Sequence, residues 1–380
     1  MLVANTDWYL VNFAAPLVHR LRRDGAEVLL VSPPGAHRAA LAALGARWEP
    51  LAIGRRSIGP VGELATLVAL TRLLRRERPE LVHGFTLKGV VHGLLAARLA
   101  GVGARVATLT GLGWVFTNRA WSARALRPVL RALLRVALAG ARTRTIVQNR
   151  DDAAALVGAG LVDASSLRRV AGSGVDCTRF QPRRAPRPPD RPWTVLLVAR
   201  LLWDKGVGEF VAAARALRAT HPTLRLVVAG ARDQGNPAAI APEQLAAWRE
   251  EGTVEWLGQV DNMPALLAEV DAVALPSHRE GLPRSLIEAA ACGLPLVASD
   301  APGCREVVRD GVEGLLVPVG DAAALAAAIQ RLAADPALAA RLGAAGRERT
   351  LREFAVPVVV DAVLAVYREL IALPPRQGAP

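Results

Sequence analysis

Short apolar runs that end in small or polar residues alternate along this chain with longer segments whose apolar positions follow a helical period. LVAN at 2–5, EVLLVS at 27–32, ELVHG at 80–84, ARVATL at 104–109 and RTIVQN at 144–149 have the length and apolar density of buried strands. Segments 10–23 and 61–78 between them have the length of helices. This alternation predicts an α/β fold with a doubly wound, mostly parallel sheet. At 172–192 the rhythm breaks: GSGVDCTRFQPRRAPRPPDRP carries five prolines, several arginines and no apolar period, the composition of an exposed connection. It restarts with WTVLLVAR at 193–200, TLRLVVAG at 223–230, TVEWLG at 253–258, DAVALPS at 271–277, LPLVASD at 294–300 and EGLLVPV at 313–319. Ala-rich helices over 321–352 and an apolar helical pattern over 354–371 close the chain. The predicted domains are therefore 1–175, a linker at 176–192, a second α/β domain at 193–352, and a C-terminal helix with tail at 353–380.

Length agrees, since 380 residues exceed what one hydrophobic core usually holds. Hydrophobic residues make up 52%, yet Pro, Gly and Arg interrupt every apolar run before it reaches the length of a membrane span. No signal peptide is visible, and Cys177, Cys292 and Cys304 have neither disulfide-framework nor metal-ligand spacing, so a cytoplasmic location is expected. Charge changes the picture more. Residues 1–180 hold 25 basic and 11 acidic side chains, net +14, whereas the remainder holds 22 and 23. Between Glu80 and Asp151 there are eleven Lys or Arg and no carboxylate. Such a half favours an anionic partner. The first strand lacks G-x-G-x-x-G, and GLGWVF at 111–116 lacks the third glycine, which disfavours a dinucleotide-dependent dehydrogenase.

The chemistry concentrates in PSHREGLPRSLIEAAACGLPLVASD at 276–300. Glu280 and Glu288 bracket seven residues, with Gly281 and Pro283 turning the backbone before a helical pattern from Arg284 to Cys292. A loop placed after a strand and feeding a helix N-terminus offers backbone N–H groups, here from Gly281 to Ser285, to a phosphate or diphosphate. The plainer reading is a solvated Glu280–Arg284 pair with Glu288 near a positive helix end. The segment EGLPRSLIEAAACGLPLVAS resembles the donor-site signature of retaining GT-B glycosyltransferases of family 4. ARLLWDKG at 199–206 is similar to that family's R-x4-K-G element. HGFTLKGVVHGLLAARLAGV and VATLTGLGWVF resemble members that extend sugars on polyprenyl diphosphate carriers during capsule, O-antigen or glycan assembly.

The resemblance covers nearly the whole chain and implies a GT-B fold: two Rossmann-like doubly wound domains facing a cleft, the last helix crossing back to the first domain. It implies that Arg200 and Lys205 meet the donor diphosphate, where fixed cations oppose the charge gained by the leaving group. It gives Glu288 to the ribose and Glu280, with the Gly281 and Leu282 amides, to the donor sugar; Pro283, Ser285 and Gly258 complete the donor set. Catalysis falls to Glu280, Lys205 and Arg200, with no metal and no cofactor. Lysine usage adds an argument from composition. Against 45 arginines the chain has two lysines, Lys88 and Lys205, so each marks a position suited to a compact ammonium. Lys88 lies just past a strand of the first domain and is placed on the acceptor side, with Thr110 and Gly111 in a loop that also holds Gly113. Many family members have histidine near Thr110; this chain does not, and His83, beside an apolar strand, reads as structurally satisfied. Arg124, Arg127, Arg131 and Arg135 recur at helical spacing among Leu126, Leu130, Leu133, Leu134 and Leu138, as in a basic amphipathic helix suited to anionic headgroups or in an ordinary half-buried helix.

The expected enzyme moves a sugar from a nucleoside diphosphate donor, UDP-linked, to a lipid-linked or other glycan acceptor, at the inner face of an anionic membrane. A GT-B sugar-nucleotide epimerase is the alternative. A nucleic-acid-binding protein is disfavoured by the absence of a recognition motif and by 4% aromatics.

Overall fold

The computed structural model describes residues 1–54, 59–111, 121–184, 187–188, 190–233 and 235–372, with the side chains of 121–126 left aside. The chain divides into two compact units: Met1–Gly174 with Val356–Pro380, and Val175–Ala355. Each holds one parallel sheet. In the first unit the strands are β1 (Leu2–Val3), β2 (Leu29–Ser32), β3 (Arg47–Pro50), β4 (Leu81–Phe85), β5 (Ala104–Leu109), β6 (Thr143–Val147) and β7 (Leu167–Arg169), in the order β3-β2-β1-β4-β5-β6-β7. In the second they are β8 (Thr194–Val198), β9 (Arg225–Ala229), β10 (Glu255–Gly258), β11 (Ala272–Leu275), β12 (Leu296–Ser299) and β13 (Gly314–Val317), in the order β10-β9-β8-β11-β12-β13.

The eleven apolar runs all became strands. Successive strand residues face opposite sides of a sheet, and both sides of the first sheet are covered. Leu2 and Leu30 pack with helix Ala15–Arg23, while their neighbours Val3, Leu29 and Val31 pack with helix Pro60–Glu77 on the other side. Helix Val356–Arg368, the last of the chain, lies on the first of these faces: Val359, Val360, Leu364 and Tyr367 are buried there with Tyr9 and Leu17. Two strands escaped the sequence pattern. RWEP of β3 and LRR of β7 are the outer strands, with no fully buried residue, and edge positions do not require apolar runs.

Glycines bring helix Thr86–Leu99 unusually close to the sheet. A Cβ on Gly84 would lie 2.6 Å from the Gly89 carbonyl oxygen, and one on Gly89 would lie 2.9 Å from that of Val3. The proline-rich stretch after Gly174 belongs with the second unit, where Arg183 and Arg191 both reach the buried Asp271 carboxylate, at 2.8 and 2.7 Å. Among the described residues no helix is long and apolar enough to cross a membrane.

Candidate functional site

In the second sheet the chain runs outward from β8 to β9 and β10, then returns to the other side of β8 with β11. An open parallel sheet presents its binding crevice beyond the carboxyl ends of strands where the order reverses in this way. The loops that follow β8 and β11 meet there. Lys205 Nζ donates to Glu280 Oε1 at 2.7 Å, and the two side chains are only 14% and 15% exposed. Backbone contacts hold the loops in place. Lys205 ends a single turn of 3-10 helix, Trp203–Lys205, and Gly206, at φ 70°, separates it from the helix that begins at Val207. A Cβ on Gly206 would sit 2.1 Å from the Pro276 carbonyl oxygen. The hydroxyl of buried Ser277 and the N–H of His278 both donate to the Asp204 carbonyl, at 3.0 and 2.9 Å. The Ser299 hydroxyl donates in turn to the Ser277 carbonyl, bringing in β12. Glu280 N–H donates to Pro302 O at 2.9 Å, and Gly303, at φ 82°, approaches so closely that a Cβ would lie 2.5 Å from the Glu280 carbonyl oxygen.

Around this pair the other expected donor residues take distinct positions. Arg200, two residues past β8, is half exposed and donates to Asp233 at 2.6 Å. Arg200 and Lys205 thus answer to different carboxylates. Helix Arg284–Ala291 begins at Pro283 with no side-chain cap; Leu286 and Ile287 N–H turn back to the Pro283 carbonyl, and Ser285 lies half buried in the first turn, as do Gly281 and Leu282 just before it. The Glu280 amide, spent on Pro302, is not part of this N-terminus. Within the helix Arg284 Nε donates to Glu288 Oε1 at 2.7 Å. The plainer reading of a Glu280–Arg284 pair is therefore replaced by two separate pairs, Lys205–Glu280 and Arg284–Glu288. Burial pushes the Glu288 carboxyl above its ordinary range, against the opposing pull of Arg284. Gly258 ends β10 at φ 68°, and its carbonyl accepts the Gly230 N–H at 2.7 Å. His278, with Nε2 at 2.8 Å from Glu209, adjoins the loop and was not singled out in the sequence.

The first sheet reverses between β1 and β4. There Thr86, at φ 63°, starts helix Thr86–Leu99 and donates its hydroxyl to Asn5 Oδ1 at 3.0 Å. A β-branched residue in the left-handed region carries strain of about 1–2 kcal/mol, and strain of this kind collects at functional sites. Two residues on, Lys88 Nζ donates to Glu63 Oε1 at 2.7 Å, while the other Glu63 oxygen stands 2.7 Å from His92 Nε2. His92 Nδ1 faces the Lys88 carbonyl at 2.9 Å. Glu63 was missed in the sequence because it lies 25 residues before Lys88, on another helix. His83 is fully buried between Tyr367 Oη at 2.6 Å and Thr108 Oγ1 at 2.7 Å, and burial holds its pKa well below the usual 6.5. It ties β4 and β5 to the last helix. Thr110 and Gly111 follow β5 half buried, Gly111 at φ 134°; Gly113 and the Arg124 and Leu126 side chains lie outside the described residues.

Helix Trp121–Leu138 departs from the expected two-stripe pattern. Leu134 and Leu138 are buried, but Leu133 is 40% exposed and shares the outer face with Val129 and Val136, at 59% and 51%. Arg131 and Arg135 are exposed and Arg127 half buried.

Two family models match the chain: glycosyl transferases group 1 over residues 179–349, and glycosyl transferase 4-like over residues 1–149. The N,N'-diacetylbacillosaminyl-diphospho-undecaprenol alpha-1,3-N-acetylgalactosaminyltransferase of Campylobacter jejuni is 27% identical over 372 residues, 95% of this chain and 96% of that enzyme. A glycogen synthase of Mycobacterium tuberculosis is 36% identical over 219 residues, 57% of this chain and 51% of the synthase. Among solved structures, Anabaena Alr3699/HepE in complex with UDP and glucose superimposes with a TM-score of 0.75 at 22% identity, covering 97% of this chain and 99% of the other. Sucrose-phosphate synthase from Thermosynechococcus elongatus does so at 0.76 and 25% identity, covering 93% and 91%.

Proposed function

Since this chain belongs to the GT-B glycosyltransferases, with a group 1 half and a family 4-like half, we propose that it is a retaining, metal-independent enzyme transferring a sugar from a UDP-linked donor to a lipid-linked glycan acceptor. The observation that carries the reading is the nearly buried Lys205–Glu280 pair at the strand reversal of the second sheet. An ammonium has three donor hydrogens, so Lys205 can keep its carboxylate and still meet a diphosphate. Cation and phosphate then sit in a site of low local dielectric, where the charge gained by a departing nucleoside diphosphate is most strongly opposed. Arg200 adds a second cation by leaving Asp233, and Glu288, kept at the helix, accepts from the ribose hydroxyls. Glu280, aligned by Lys205, faces the donor sugar. Retention follows if the leaving phosphate itself takes the acceptor proton on the face it departs from.

The lipid-linked acceptor is supported by the diphospho-undecaprenol in the name of the Campylobacter jejuni relative, and UDP by the complexes of the Anabaena protein. Lys88 serves an acceptor oxygen or phosphate, with Thr110 and Gly111 beside it. The outer face of helix Trp121–Leu138, basic and studded with Val129, Leu133 and Val136, suits an anionic membrane that carries such an acceptor. The enzyme would then work on the cytoplasmic face.

The test is release of nucleoside diphosphate from a panel of nucleotide sugars with and without a polyprenyl-diphosphate-linked acceptor. Release that depends on acceptor and persists in EDTA is expected. Conversion of the donor without acceptor, or complete loss in chelator restored by manganese, would overturn the assignment.

A further inference from the structure

At the opposite end of the first sheet, where β4, β5 and β6 begin, a basin of about 780 Å³ is walled by Arg75, Arg78, Glu80, Gly103 and Arg142. That volume lies in the range of small-molecule sites. Arg75 donates to the Leu99 carbonyl at 3.0 Å and Arg142 to the Leu370 carbonyl at 2.8 Å, each through one nitrogen. A guanidinium has five N–H donors, so most of this capacity is left over. Two further arginines stand behind Arg142. Arg98 donates to the Ala139 carbonyl at 2.8 Å and Arg105 to Val102 O at 2.8 Å and Thr143 Oγ1 at 3.2 Å. Both crowd Gly140, whose Cβ would lie 3.1 Å from Arg105 Nη2 and 3.6 Å from Arg98 Nη1.

Arginines beside helix C-termini are favourable on their own, and that accounts for the carbonyl contacts. It does not account for the crowding. Among the described residues none of the five has a carboxylate within ion-pair distance, and Arg105 is pushed below its ordinary pKa by burial and then by Arg98 and Arg142. Glu80 stands in the wall but pairs with none of them, and like charges gathered around a concave surface without a paired counter-ion are a cost that an anion would remove. The planar fork of arginine matches the oxygens of a phosphate.

We propose that this arginine-walled basin binds a phosphate-bearing anion, either a free phosphate or diphosphate or the phosphate of an anionic lipid headgroup. The site is separate from the donor loops, which belong to the other unit, and does not depend on how they are read.

The test compares the full chain with its Arg75→Gln/Arg78→Gln/Arg142→Gln variant. All three side chains are exposed, so the core is untouched. Should the variant fail to fold, Arg75→Glu alone replaces it. Inorganic pyrophosphate is titrated calorimetrically against chloride of equal ionic strength, and flotation is measured with vesicles of phosphatidylcholine alone or with phosphatidylglycerol. Arg200→Gln/Lys205→Gln controls for binding of pyrophosphate at the donor loops. Arg127→Gln/Arg131→Gln/Arg135→Gln controls for binding of vesicles through helix Trp121–Leu138. A free-phosphate site is established if pyrophosphate binds the wild type and the donor-loop control but binds the basin variant about tenfold more weakly or less. A headgroup site is established if phosphatidylglycerol vesicles capture the wild type and the helix control, with a similar loss in the basin variant. The proposal is overturned if the basin variant matches the wild type in both arms, or if the wild type binds neither probe.

Discussion

Replacing Glu280 by Gln separates the stabilising work of the Lys205 pair from the catalytic work proposed for it. The two groups are 2.7 Å apart with about one seventh of each side chain exposed. At an effective dielectric of about 20, opposite charges at this range attract by roughly 6 kcal/mol. Part of that is offset in the variant, because the amide no longer bears the desolvation cost of a carboxylate and its oxygen still accepts from the ammonium. A net loss of about 1–2 kcal/mol remains, which lowers the melting temperature of the Val175–Ala355 unit by roughly 2–8 °C at the usual few degrees per kcal/mol. Turnover falls further. A charge-stabilising group at the reacting centre is worth about 10²-fold in kcat, while nucleoside diphosphate affinity holds or rises, since Lys205 keeps its charge without an opposing anion. Differential scanning calorimetry, titration calorimetry with the nucleoside diphosphate, and initial rates at saturating donor read the three quantities. Lys205→Met and the double variant close the cycle and give the coupling between the two side chains. Wild-type kcat and melting temperature in Glu280→Gln would reduce the pair to a solvated contact and remove it from the mechanism.

Lys88→Arg keeps the charge but not the compact shape, so acceptor KM should rise or kcat drop several-fold with donor binding unchanged; wild-type kinetics would show that the rarity of lysine carries no information here. Arg127→Gln/Arg131→Gln/Arg135→Gln should weaken binding to anionic vesicles by about 1 kcal/mol per charge, and unchanged flotation would leave the helix as scaffold. His83 is neutral when buried and protonates in the unfolded chain, so its contribution is intact above the ordinary 6.5 and drains away as pH falls below it toward the depressed folded value. Urea titrations should find stability dropping on that limb by up to about 1.4 kcal/mol per pH unit for this one proton, and a His83→Gln variant with the wild-type slope would contradict the assignment.

The sequence disclosed what burial on both faces imposes. Every strand that must be apolar on both sides was visible, and β3 and β7 were not, because an edge strand needs only backbone pairing. Glu280, Glu288, Lys205 and Arg200 stood out through their spacing in one loop and one turn. Their partners did not. Lys205 and Glu280 are 75 residues apart, and Glu63 reaches Lys88 from a different helix, so only topology unites them. The plainer sequence reading paired Arg284 with Glu280, and only the helix, which sets Arg284 and Glu288 four residues apart on one face, shows its carboxylate partner to be Glu288. Leu133 was misplaced for a related reason: a helix that carries apolar residues on its outer face as well as its inner one has no single stripe to read.

The glycines around the loops that follow β8 and β11 limit how this enzyme can change. Gly206 presses on Pro276, Gly230 on Ala199 and Gly303 on Glu280, each so closely that a methyl group could not be admitted. Insertions, deletions or transplanted loops would have to break main-chain contacts at several strand ends at once, and a variant library built on them would consist mostly of misfolded protein. Substitutions confined to the tips of Arg200, Leu282, Ser285 and His278 leave those contacts alone. A search for altered donor preference in this scaffold should therefore vary side chains at fixed loop length, and selections that permit length changes should return to the parental lengths.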